Sequence, residues 1–208
     1  MVRDVQKDAE NYVRCMTELN GRFSLFDWSV EDFVGQNLVL LGPAESAFLQ
    51  LRKCYELVVF ATMAWNLPQM IENWSKFEKD WNLATIVNRI QKQNSDFLPH
   101  TNVPREDPRL MELELKLMSD TAPFRIDAEK LKMQHGKLGK LLHARNPFAE
   151  KINYQAELAE ALAAKSELQV AMSEHVTFIG VDGDILVTKM NRGDGKAEST
   201  PLRRIHES

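Results

Sequence analysis

Only two cysteines, Cys15 and Cys54, occur in 208 residues, so no disulfide framework holds this chain and the pair cannot by itself bind zinc. Long apolar runs are also missing. Nothing approaches the ~18 consecutive apolar residues of a membrane span, and the opening residues, Met1-Val2-Arg3-Asp4, lack the apolar centre of a signal peptide. The expectation is a soluble, cytoplasmic chain with no membrane partner. An excess of positive charge is lacking too: 26 Lys and Arg face 30 Asp and Glu, for a net charge of −4. That excludes a wholesale basic nucleic-acid binder but leaves room for a local basic patch. Absent as well are a phosphate-cradling glycine loop, a Gly-x-Ser-x-Gly elbow, a His-Glu-x-x-His pair and a dinucleotide fingerprint. Large enzyme classes lose their support with them, and no cofactor is implied. What is present, 44% hydrophobic and 27% charged residues, suffices for one sizeable core.

Periodicity predicts helices first and strands last. Apolar residues at spacings of three and four predict a helix over residues 2–20, with Gly21 as its stop. Residues 22–41 mix aromatics (Phe23, Phe26, Trp28, Phe33) with turn-formers and read as a connection whose aromatics plug the core. Gly42-Pro43 opens a central helix over 44–66 that Leu67-Pro68 ends or kinks. Further helices are expected over 77–92, from an Asp127 N-cap to about 144, and over 152–173. Residues 93–124, punctuated by four prolines, read as an irregular excursion. From Val176 the period changes to two, and Asp182-Gly183 supplies a tight primed turn. The fold class expected is therefore mainly α, a helical bundle over 1–174 with a small C-terminal antiparallel β-meander over 175–208 packed on it as part of one domain.

The run Lys137-Leu138-Gly139-Lys140-Leu141-Leu142-His143-Ala144-Arg145-Asn146-Pro147 gathers donors and a proton-transfer group at a helix end. Leu131, Leu138 and Leu142 form its core stripe, while Lys132, Gly136, Gly139 and His143 share an adjoining face. Two helical glycines cost about 1 kcal/mol each relative to alanine, and close approach of another backbone is the usual reason. Residues 125–145 carry a local surplus of four positive charges, attractive to phosphate. The bland alternative is a satisfied histidine, a capping arginine and a solvated lysine face. His135 and His143 cannot share a metal ion, since eight helical residues span ~12 Å. No metal site is expected. Arg52 and Glu56, spaced i and i+4 on the central helix, imply either a structural bridge or a cleft wet enough to tolerate charge. Arg192-Gly193-Asp194 reads as a turn.

The segment Leu49-Gln50-Leu51-Arg52-Lys53-Cys54-Tyr55-Glu56-Leu57, the later His143-x-Arg145-Asn146-Pro147-Phe148 and the closing meander together resemble the HEPN superfamily (higher eukaryotes and prokaryotes nucleotide-binding) over about residues 44–175. The resemblance implies a dimeric helical bundle, an RNA-cutting toxin or defence protein. That superfamily's signature is an arginine followed by a polar residue and, four to six residues on, a histidine. Arg145-Asn146 matches its first half, no histidine follows before residue 155, and His143 precedes the arginine instead. On this reading His143 moves the proton, Arg145 stabilises phosphate charge and Asn146 supports it, with Lys137, Lys140 and Arg52 binding phosphate and Glu56, Gly136 and Gly139 in support. The rival expectation is a non-catalytic adaptor, antidote or regulator whose meander docks a protein partner. Binding of RNA or a nucleotide without hydrolysis is a third.

Overall fold

The computed structural model describes residues 4–35, 41–70, 82–101, 124–143, 152–179, 184–190 and 195–202. Its elements run α1 (Val5–Gly35), α2 (Leu41–Met70), α3 (Leu83–Gln93), β1 (His100–Thr101), β2 (Phe124–Arg125), α4 (Ala128–Leu142), α5 (Tyr154–Ser173), β3 (Glu174–Phe178), β4 (Ile185–Met190) and β5 (Ala197–Leu202). The protein is mainly α with an antiparallel sheet, as its periodicity implied.

Helix α1 does not stop at Gly21. Its buried stripe, Val5, Ala9, Tyr12, Met16, Leu19, Phe23 and Phe26, alternates spacings of four and three straight through that position. Burial of the two phenylalanines, worth about 1.5–3 kcal/mol each, outweighs the ~1 kcal/mol propensity loss at one exposed glycine. Trp28 departs from expectation, standing 66% exposed rather than in the core. Phe33 falls among side chains outside the description. Helix α2 runs beyond Leu67-Pro68 to Met70. The two long helices pack along each other, tied by Ser29 Oγ to Ser46 Oγ at 2.9 Å and Arg22 Nη1 to Gln50 Oε1 at 3.0 Å. Asp127 caps α4 as expected, its side chain accepting from Lys130 N at 2.7 Å, and Asn82 and Asn153 cap α3 and α5 in the same way.

The sheet is larger than the expected meander. Strands β3, β4 and β5 pair antiparallel in succession, and β1 and β2 extend them into the order β2-β1-β3-β4-β5. The sheet therefore draws on residues near 100 and 125 as well as the C-terminal stretch. The turns at Asp182-Gly183 and Arg192-Gly193-Asp194, and residues 102–123 of the excursion, lie outside the described residues. One face of β3 turns His175 and Thr177 to Tyr12 of α1. The other presents Val176 and Phe178, which cluster with Ile185, Val187 and Leu202.

The β5 edge is blunted. Ala197 N donates to Thr17 Oγ1 on α1 at 3.3 Å, so the amides facing away from β4 are those of residues 197, 199 and 201. The first is taken, and Pro201 has none. Only Ser199 keeps an outward donor, too little to template another strand.

Candidate functional site

Along α2 and α4 the half-buried Arg52, Glu56 and His135 side chains meet, at 32%, 28% and 15% exposure. Arg52 and Glu56 sit one turn apart on α2 and so share a face. His135 reaches them from α4. Glu56 Oε1 is the vertex: it lies 2.9 Å from His135 Nε2 and 3.3 Å from Arg52 Nε, while Arg52 Nε and His135 Nε2 are 3.1 Å apart. One ring nitrogen cannot donate to the carboxylate and accept from the guanidinium at once. The His135 hydrogen bond, with further help from the imidazole and guanidinium charges, holds the Glu56 carboxyl below its ordinary pKa against the opposing effect of burial. An ionised carboxylate only accepts, so Nε2 carries the proton toward Glu56.

Gly139, one turn beyond His135, explains how the guanidinium fits. A Cβ there would stand 3.1 Å from Arg52 Nη1. The expectation that the glycines admit another backbone is thus corrected at Gly139, where a side chain makes the approach. At Gly136 nothing lies within 4 Å, and no close approach accounts for it. The core stripe of α4 is also shifted: Leu131, Leu138 and Leu141 are buried, while Leu142 is only half-buried.

The remaining sequence candidates distribute as follows. His143 is the exposed C-cap of α4, four residues past Gly139 and eight past His135. Arg145 and Asn146 lie outside the described residues. Lys137 is engaged by Glu157 and Glu160 of α5, whose hydrogen bonds raise its pKa. Lys130 pairs with Glu167, and Lys132 with Glu129 and Asn88. Lys130 and Lys137 are thereby paired with α5 carboxylates, while Lys140 stays exposed with no ion pair to a described residue.

His135 is the member that sequence reasoning left out of the site. Its one signal was its place one turn before Gly139. Both cysteines are free. Burial pushes the Cys15 thiol up to about 11 and Cys54 higher still, so neither offers a thiolate at neutral pH. Among the described residues no group of three His, Cys, Asp or Glu could hold a metal ion, and no helix is long and apolar enough to cross a membrane.

No family model, curated protein or solved structure matches the chain.

Proposed function

We propose that the protein cleaves single-stranded RNA at the Arg52–Glu56–His135 cluster. The observation that carries this reading is the triangle itself: a carboxylate, an imidazole and a guanidinium in mutual contact, partly exposed, with Gly139 making room for the guanidinium. Those three groups supply a base, a carboxylate that orients it and a cation for the phosphate. Glu56 fixes the ring through Nε2–H. His135 Nδ1 takes the proton of a ribose 2′-hydroxyl, and the 2′-oxygen forms its bond to phosphorus. The bond from phosphorus to the 5′-oxygen breaks, and that oxygen needs a proton in return. Solvent water supplies it. Arg52 offsets the charge that builds on the phosphate oxygens. The products are a 2′,3′-cyclic phosphate and a 5′-hydroxyl.

This keeps the RNA reading of the sequence but moves its base and its arginine from the segment after α4 into the α2–α4 contact. The rival adaptor reading would use the meander edge, and the blunted β5 strand gives it no support.

The test is cleavage of a single-stranded RNA by the purified chain and by His135→Ala and Arg52→Lys. Wild type is expected to cut, with both variants at least ~100-fold slower and melting within a few degrees of it. Equal cleavage by His135→Ala, or none by wild type, would contradict the assignment.

A further inference from the structure

The outer faces of α1 and α2, turned away from their buried stripes, carry apolar side chains that the fold leaves uncovered. On α1 the exposed residues Gly21, Leu25 and Trp28 follow one another at spacings of four and three, so they share a face, with Leu25 45% and Trp28 66% exposed. On α2 the corresponding face is Glu45, Leu49 and Lys53 at spacings of four, with Leu49 40% exposed. The Ser29–Ser46 and Arg22–Gln50 hydrogen bonds hold the two helices antiparallel and bracket both leucines. Leu25 and Leu49 therefore stand level, side by side. A cluster of exposed apolar side chains rimmed by charge is the mark of a docking surface.

The arrangement of each helix about its leucine identifies the occupant. Glu45 lies one turn before Leu49 and Lys53 one turn after it, about 6 Å each way along the axis, and neither makes an ion pair with a described residue. A twofold axis through the leucines, at right angles to the helices, lays α1 antiparallel on α1 of a second copy and α2 antiparallel on α2. Each Glu45 then comes level with Lys53 of the other copy, and the pairing occurs twice. The same axis sets Trp28, the largest exposed side chain of α1, against Gly21 of the other copy. A glycine inside a helix is unfavourable relative to alanine, and nothing lies within 4 Å of where a Cβ on Gly21 would stand, so a flat seat for the indole gives that residue a use. Acid and base on α2, and bulky and bare positions on α1, fall on opposite sides of the leucine, which is the condition a surface meets when it binds its own copy. A different partner would need no such internal matching.

We infer that the chain forms a twofold dimer through this face. Arg52, Glu56 and His135 take no part in it, so it stands or falls separately from the RNA reading. Sedimentation equilibrium of the full chain from about 1 to 100 µM tests it, and a dimer that grows with concentration is expected. Trp28→Ala, at an exposed position, should weaken association at least about tenfold while melting stays within a few degrees of wild type. Gly21→Leu should weaken association as well, although it favours the helix, so loss of the dimer with melting equal or higher separates contact from folding. Glu45→Lys sets lysines against lysines and Lys53→Glu sets carboxylates against carboxylates; each should weaken the dimer, and the double variant should return to within about threefold of wild type. A monomer at every concentration, a dimer that Trp28→Ala leaves unchanged, or a double charge variant no tighter than the single ones would each overturn the inference.

Discussion

Two histidines in this fold hold opposite positions. His135 keeps 15% of its side chain exposed beside an ionised carboxylate, whereas His175 is 1% exposed and meets only neutral groups. Its Nδ1 donates to the Met172 carbonyl at 3.1 Å, because a carbonyl can only accept, and its Nε2 therefore accepts from the Tyr12 hydroxyl at 2.7 Å. Thr177 Oγ1 completes the chain by donating to the Tyr12 oxygen at 2.9 Å. Every polar atom in this chain has a partner, so the ring has no lone pair or proton to offer a ligand. Burial pushes its pKa down to about 4. The comparison separates a ring that pins the sheet to α1 from one that a substrate can reach, and the deciding variables are solvent access and the charge of the partner.

The largest expected difference is in turnover. His135→Ala should lower RNA cleavage by about 10²–10⁴-fold, while His175→Leu should leave the rate per folded molecule within about twofold. Single-turnover assays at matched folded fractions measure this, and a comparable loss in both variants would erase the contrast.

Next in size is the acid limb of stability. Above pH 6.5 His175 is neutral in both folded and unfolded chains. Below 6.5 the unfolded ring takes up a proton that the folded ring refuses until about pH 4. The unfolded state thus binds more protons, and stability falls with falling pH by roughly 3 kcal/mol across that window. Denaturant unfolding from pH 7 to pH 4 should display this slope, and His175→Leu should flatten it whatever its effect at pH 7. An unchanged slope in the variant would place the acid sensitivity elsewhere.

Tyr12→Phe should cost about 2 kcal/mol at pH 7, because it strands the His175 Nε2 and Thr177 hydroxyl in a dry interior. Glu56→Gln should be the mildest. With Glu56 and Arg52 about a third exposed, its effect on stability should stay below about 1 kcal/mol and shrink with added salt. The contribution of Glu56 is present above the ordinary carboxylate pKa and disappears as pH falls through the lowered folded value, so the variant should differ from wild type near neutrality and converge with it in acid. A loss of several kcal/mol would mark the triangle as a structural bridge.

The helices were largely legible because their signals are local. Asp127 announced the start of α4, and the Arg52 and Glu56 spacing announced one face of α2. Gly21 is a local stop signal that the stripe overrides, since the four-and-three spacing through Leu19, Phe23 and Phe26 runs across it. The site was only half legible for a different reason. Arg52 and Glu56 meet His135 across 79 or more positions of sequence, and no periodicity links them. The partners of the α4 lysines are non-local for the same cause: Glu157, Glu160 and Glu167 sit on the next helix. Strands β1 and β2 are two residues each, shorter than any alternation can announce.

The most direct measurement compares a short single-stranded RNA with the same oligonucleotide carrying one 2′-deoxyribose at the cut position. Base catalysis at the 2′-hydroxyl predicts that the RNA is cut to a 2′,3′-cyclic phosphate and the deoxy strand survives at that step. Cleavage of both strands at equal rates, or of neither, would contradict it.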